Sequence, residues 1–188
     1  MDRQLALAKA ALATGRCGLG SCWGLQIVSA AAGGVIAKSD GTRFGIARQI
    51  ALTEQGRAHP MFAGRADRFD APFYHIDLVA EPPEGAVILA SNARAPIQAL
   101  ALERDGFVFW GLQYHPEFDL GVVAALARLR AALLIEEGVF ADCAAVTDYA
   151  AKAEAGDADL GLDDEILDFE RRTGEIRRWL DLCRSRLR

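Results

Sequence analysis

Gly20-Ser21-Cys22-Trp23-Gly24-Leu25-Gln26 sets a cysteine among small residues, where a strand over Cys17 to Ser21 must turn into a helix over Gly24 to Ala32. Gly18 and Gly20 make that strand weak on propensity alone. Gly33-Gly34 suits a left-handed cap that closes the helix. A cysteine at so sharp a turn takes a strained backbone conformation, so its neighbours need to be small, and Gly20 and Gly24 meet that demand. The turn also sets the thiol at a helix N-terminus, where unpaired amides and the helix dipole favour the thiolate. The amide of Trp23 then points to where an oxyanion would form. By itself a cysteine in a Gly-rich loop reads as a buried apolar residue. Its context here makes it a candidate nucleophile.

Outward from this stretch, residues 3 to 13 predict a helix, so helix, strand and helix surround the cysteine and point to an α/β sandwich. Strand-like runs follow at Phe44 to Leu52, Phe73 to Val79, Ala86 to Ala90, Ile97 to Leu102 and Phe107 to Tyr114. Their short connections suggest an antiparallel extension. His59-Pro60-Met61-Phe62 reads as a turn. An Ala/Leu-rich helix is predicted from Leu120 to Glu137 and two more at about 141 to 155 and 163 to 184. The expected organisation is one domain over residues 1–138 and a helical extension over 139–188. The Arg-rich stretch from Arg171 to Arg188 is interleaved with acids and reads as a solvated helix face.

A second stretch supplies what a thiol nucleophile lacks. Gln113-Tyr114-His115-Pro116-Glu117 follows a predicted strand, so His115 falls at that strand's carboxyl end, the edge of an α/β sheet where sites gather. Pro116 turns the chain, and Glu117 can swing back to fix the imidazole's tautomer, as the third member of a triad does. An imidazole that holds the thiol's proton and delivers it to a leaving group is worth about 100- to 10,000-fold in rate. His75 with Asp77 forms a competing dyad on a predicted strand, read first as a pocket wall or core hydrogen bond. His59 reads as a surface turn residue.

Charge and cysteine usage exclude several classes. The net charge is −5 with no basic block, which argues against nucleic-acid binding. The four cysteines have no metal-ligand spacing, so neither a zinc site nor a disulfide framework is expected. No apolar run reaches the ~18 residues of a membrane span, and a reducing cytoplasm suits a reactive thiol.

The two stretches resemble the G-x-C-x-G-x-Q and Q-x-H-P-E signatures of class I glutamine amidotransferases. Gly33-Gly34, Phe73-Tyr74-His75-Ile76-Asp77 and Ala90-Ser91-Asn92 fall between them in the family's order. The likeness is greatest to stand-alone domains similar to the amidotransferase half of GMP synthase, and covers about residues 1–120. It implies a flavodoxin-like three-layer sandwich with a mostly parallel central sheet. It implies glutamine as substrate, Cys22 as nucleophile forming a γ-glutamyl thioester, His115 as acid-base group and Glu117 as its orienter. Trp23 and Gln26 are implied to bind substrate, with Tyr74 and His75 in the stretch whose backbone holds the glutamine's amino and carboxylate ends. That stretch reads Ser-His-Gly or Asn-His-Gly in many relatives, and Tyr74-His75-Ile76 here. The resemblance implies no cofactor.

Family domains carry further strands and a Gly-rich loop with a second oxyanion amide before the nucleophile. Only twenty-one residues precede Cys22, so the resemblance implies a domain lacking its N-terminal part. No phosphate-cradling loop is present, so the ammonia acceptor is expected either on a synthase partner or to be absent. Self-association through an unpaired sheet edge is a further expectation. Two rival readings stand beside the amidotransferase: a hydrolase of γ-glutamyl amides with the same triad, and an inactive binding module.

Overall fold

The computed structural model describes residues 2–186. In chain order the elements are α1 (Asp2–Leu12), β1 (Cys17–Ser21), α2 (Trp23–Ala31), β2 (Val35–Leu52), α3 (Glu54–Ala58), β3 (Arg68–Glu81), β4 (Val87–Asn92), β5 (Ala95–Arg104) and β6 (Phe107–Leu112). Six helices follow: α4 (Leu120–Leu129), α5 (Ala131–Glu136), α6 (Cys143–Ala155), α7 (Asp164–Leu167), α8 (Phe169–Arg172) and α9 (Gly174–Arg186). The strands form one sheet in the order β1-β6-β5-β4-β2-β3.

The sheet is mixed, which corrects the expectation of a mostly parallel one. Among the described residues β1 and β6 run parallel and every other pair is antiparallel. Short connections dictate this, because a parallel pair needs a crossover of a dozen or more residues. Asp105 (φ 50°) and Gly106 (φ 82°) join β5 to β6 with both residues in the left-handed region, the geometry of a two-residue hairpin turn.

Weak strand propensity in β1 has a packing purpose. Gly20, with Gly111 of the neighbouring β6, lets α2 lie directly on the sheet: a Cβ on Gly20 would stand 2.6 Å from the Gly24 carbonyl carbon, and one on Gly111 would stand 2.5 Å from Leu25. Gly24 itself has open space around it, so smallness is demanded at Gly20 and not at Gly24. The end of α2 is closed as expected. Gly33 takes φ 100°, and the Gly34 amide donates back to the Ser29 carbonyl at 2.8 Å.

Apolar clusters lie on the two faces of the sheet. Leu25 joins Leu100, Phe107 and Phe109 on the α2 side. Met61, Phe62, Phe69, Trp110 and Tyr114 fill the other, covered by Trp179 and Leu182 of α9. A third cluster joins α4 to α6 and reaches Phe44. The long helix predicted over Leu120 to Glu137 breaks at Arg130, and the one over 163 to 184 divides into α7, α8 and α9. The stretch expected to be a solvated charged face is also corrected: Arg172 and Glu175 are buried, as is Glu165 just before it. The last two residues of that stretch lie outside the described residues.

β2 is twice as long as the segment predicted for it. Its first half, from Val35, is polar and Gly-containing, and it is a strand because β3 pairs with it. Register shifts in this pairing let the β2–β3 ribbon curl. The curl lays the middle of β3 across the carboxyl ends of β1 and β6, where the His115 amide donates to the Pro72 carbonyl at 2.8 Å.

Candidate active site

Cys22 sits between β1 and α2 at φ 47° and ψ −102°, a conformation that costs of order 1–3 kcal/mol in a non-glycine residue. Neighbouring bonds hold it there. Its amide donates to the Leu112 carbonyl at 2.7 Å, continuing the β1–β6 ladder, and its carbonyl accepts from the Gln26 amide at 3.1 Å, opening α2. The thiol donates to the Tyr74 carbonyl at 3.4 Å, so β3 supplies the wall opposite the nucleophile. Trp23 follows at the first position of α2, where an amide has no carbonyl of its own helix to bond. Its ring is partly exposed.

His115 arrives from the end of β6. Its Nδ1 lies 2.6 Å from Glu117 Oε1, and its ring stacks on Phe118 with centroids 3.9 Å apart and 3° between planes. The Cys22 thiol is near enough to the imidazole to raise its titration. Burial opposes a charge on this ring, yet the hydrogen bonds and charges of Cys22 and Glu117 prevail and push it up to about 9. Burial likewise works against the Glu117 carboxylate, and the bonds from His115 and Ser21 outweigh it, so Glu117 lies below its ordinary value. Cys22, His115 and Glu117 are therefore brought together as one linked group.

Ser21 belongs to that group and was not picked out by the sequence. Its hydroxyl donates to Glu117 Oε1 at 3.0 Å, the same oxygen that faces His115. The clue lay in its place beside the cysteine, but nothing local ties residue 21 to residue 117.

The other candidates sit behind the thiol. Gln26 is buried; its side-chain amide donates to the Asp77 carbonyl at 2.6 Å and lies 3.5 Å from Gln113 Oε1. It thereby pins β3 to α2. His75 is buried too, and its Nδ1 stands 3.0 Å from the backbone carbonyl of Asp77 rather than from the carboxylate. Burial, aided by Arg43 and His115, lowers its titration to about 4 despite that bond, so the ring is neutral near pH 7. A neutral, weakly basic ring is poorly suited to rival His115. His59, expected on a surface turn, is half-buried with its ring edge-on to Trp110 at 5.3 Å, and accepts from the Met61 amide at 3.1 Å.

Among the described residues no group of three or more His, Cys, Asp or Glu side chains is placed to hold a metal ion, and all four cysteines are free. Nor, among those residues, is any helix long and apolar enough to cross a membrane.

Residues 1–126 match the family described as glutamine amidotransferase class-I. A γ-glutamyl-L-1-hydroxyisopropylamide hydrolase of a Pseudomonas species is 34% identical over 194 residues, which cover 95% of this chain and 65% of the relative. The glutamine-hydrolysing GMP synthase of Thermomicrobium roseum is 38% identical over 99 residues, 53% of this chain and 17% of that protein. The chain thus spans less than two thirds of either curated relative. In fold, a glutamine amidotransferase structure from Thermotoga maritima is similar at a TM-score of 0.70 and 16% identity, covering 97% of this chain and 68% of that one.

Proposed function

The chain belongs to the class I glutamine amidotransferase family, and from that premise we propose that it hydrolyses the side-chain amide of glutamine through Cys22, His115 and Glu117. The observation that carries this reading is the arrangement of the three: His115 Nδ1 stands 2.6 Å from Glu117, whose same oxygen accepts from Ser21 beside Cys22, and the thiol is near enough to act on the imidazole. In this reading the Cys22 sulfur attacks the amide carbon. The Trp23 amide donates to the developing oxyanion. His115 gives its proton to the departing nitrogen, leaving a γ-glutamyl thioester. It then takes a proton from water, whose oxygen displaces the thiol and frees glutamate. Gln26 and the backbone around Tyr74 and His75 hold the substrate's far end. Released ammonia passes to an acceptor, for which a synthase partner is the natural source given the likeness to GMP synthases. No cofactor is needed for these steps, and free thiols suit a reducing cytoplasm.

A second reading is favoured by one observation. The Pseudomonas hydrolase matches across 95% of the chain, helices at the C-terminal end included, whereas the GMP synthase matches 53%. A substituted γ-glutamyl amide would use the same chemistry with an amine leaving in place of ammonia. Glutamine and a panel of γ-glutamyl alkylamides, assayed for ammonia or amine release, separate the two. Cys22→Ala should abolish both activities with the fold intact. Wild-type release by that variant overturns the nucleophile, and failure of Cys22 to react with a glutamine-like electrophile would instead mark an inactive binding module.

A further inference from the structure

Tyr114 connects β6 to the base, and its ring is fully buried. Its hydroxyl donates to Glu175 Oε1 at 2.8 Å, on the first turn of α9. Glu175 is itself fully buried, with Arg65 Nη1 3.7 Å from the same oxygen. Arg65 pairs through Nε with Glu165 of α7 at 2.9 Å and lies 4.2 Å over the Phe69 ring, which meets Tyr114 edge-on at 5.6 Å. Arg178 of α9 also faces Glu175. Gln113, the preceding residue, points to the other face of the sheet, where Gln26 approaches it at 3.5 Å. The turn that delivers His115 is therefore clamped from both faces.

A buried ion cluster adds little net stability over an apolar core of the same shape, but it fixes geometry, because each donor has one place to point. We propose that Glu175 and Tyr114 are positioning residues for His115: the α9 carboxylate holds the phenol, and the phenol sets the turn that aims the imidazole at Cys22. This rests on the Cys22–His115 reading above. It makes the helix at the C-terminal end part of the catalytic apparatus, although no residue of α9 touches the thiol. Displacement of a catalytic group by about 1 Å can cost up to about 100-fold in rate.

The test combines turnover with alkylation of Cys22 by iodoacetamide between about pH 5 and pH 9, the range in which the imidazole partner acts. Alkylation reports the thiol–imidazole pair without any substrate. Tyr114→Phe removes one oxygen and is expected to lower kcat about 10-fold with KM within about 2-fold of wild type, and to displace the alkylation profile towards that of His115→Ala. Glu175→Gln keeps an oxygen acceptor for the phenol and should retain kcat within about 3-fold, while Glu175→Leu should behave as Tyr114→Phe does. Thermal melts show which variants fold. A Tyr114→Phe protein that melts lower yet keeps the wild-type kcat and alkylation profile overturns the proposal, leaving a structural contact only. An alkylation profile that His115→Ala does not change overturns the catalytic pair itself, and the positioning role falls with it. Should no substrate turn over, the alkylation profiles of Tyr114→Phe and Glu175→Gln still decide between the two.

Discussion

Ser21 and Trp23 flank the nucleophile, the hydroxyl on one side bonded to Glu117 and the amide on the other proposed to serve the oxyanion. Ser21→Ala leaves Glu117 with the His115 bond but loosens its rotation. Turnover should fall about 3- to 10-fold, less than for Glu117→Gln, and that in turn less than for His115→Ala, measured as kcat on one substrate. Buried His75 and half-buried His115 pull stability in opposite directions with pH. His115, at about 9 against an ordinary 6.5, binds its proton more tightly folded than unfolded. Its contribution is full below pH 6.5 and is lost as pH rises through 9. His75, at about 4, is protonated more readily unfolded, so stability declines as pH falls from 6.5 to 4. Urea melts across that range should therefore give a maximum near neutral pH. His75→Gln should flatten the acid limb and His115→Ala the alkaline limb; an unchanged limb in either variant refutes the corresponding assignment. The grouping of Cys22, His115 and Glu117 was legible because each half is a short local pattern. The contact of the Tyr74 carbonyl with the thiol was not, since every residue type possesses a carbonyl.

At the scale of elements, the contact of α2 with β1 separates two glycines that look alike in the sequence. Gly20→Ala forces a Cβ to 2.6 Å from backbone and should prevent α2 from seating, a loss of several kcal/mol in stability or no folded protein at all. Gly24→Ala meets open space in a helix and should stabilise by up to about 1 kcal/mol. Urea denaturation of the two variants checks the contrast, and similar losses in both would contradict it. Local pattern placed β1, α2 and the later strands well, because alternation, glycine caps and turn residues are written within a few positions. It missed the first half of β2, where Lys38-Ser39-Asp40-Gly41 reads as loop. That segment is a strand only because β3 pairs with it across more than thirty intervening residues, as in Lys38 opposite Asp77. The mixed sheet has the same origin: the Asp105-Gly106 hairpin was local, whereas the order of the strands was not.

For the whole molecule, α7 and α9 are held by buried charge around Arg65 and Tyr114 as well as by the apolar packing of Trp179 and Leu182. Arg65→Leu should remove the buried cation that bridges Glu165 and Glu175, leaving them Arg171 and Arg178 alone, and destabilise by about 3–5 kcal/mol, far more than removal of the exposed Arg128–Glu154 pair on α4 and α6. Melting temperatures of the two variants test this, and equal shifts would refute it. These charges were unreadable beforehand because an interleaved run of Arg and Glu has the same composition whether it faces water or a partner. The parallel pairing of β1 with β6, Cys17 opposite Val108, carries a consequence for how the protein comes to life. Contacts so distant along the chain close slowly, on the scale of milliseconds to seconds. On the ribosome Cys22 is made well before the imidazole proposed as its base, and the carboxylate that holds Tyr114 follows that tyrosine by 61 residues. A nascent chain thus carries the thiol through that interval without the groups proposed to arm it.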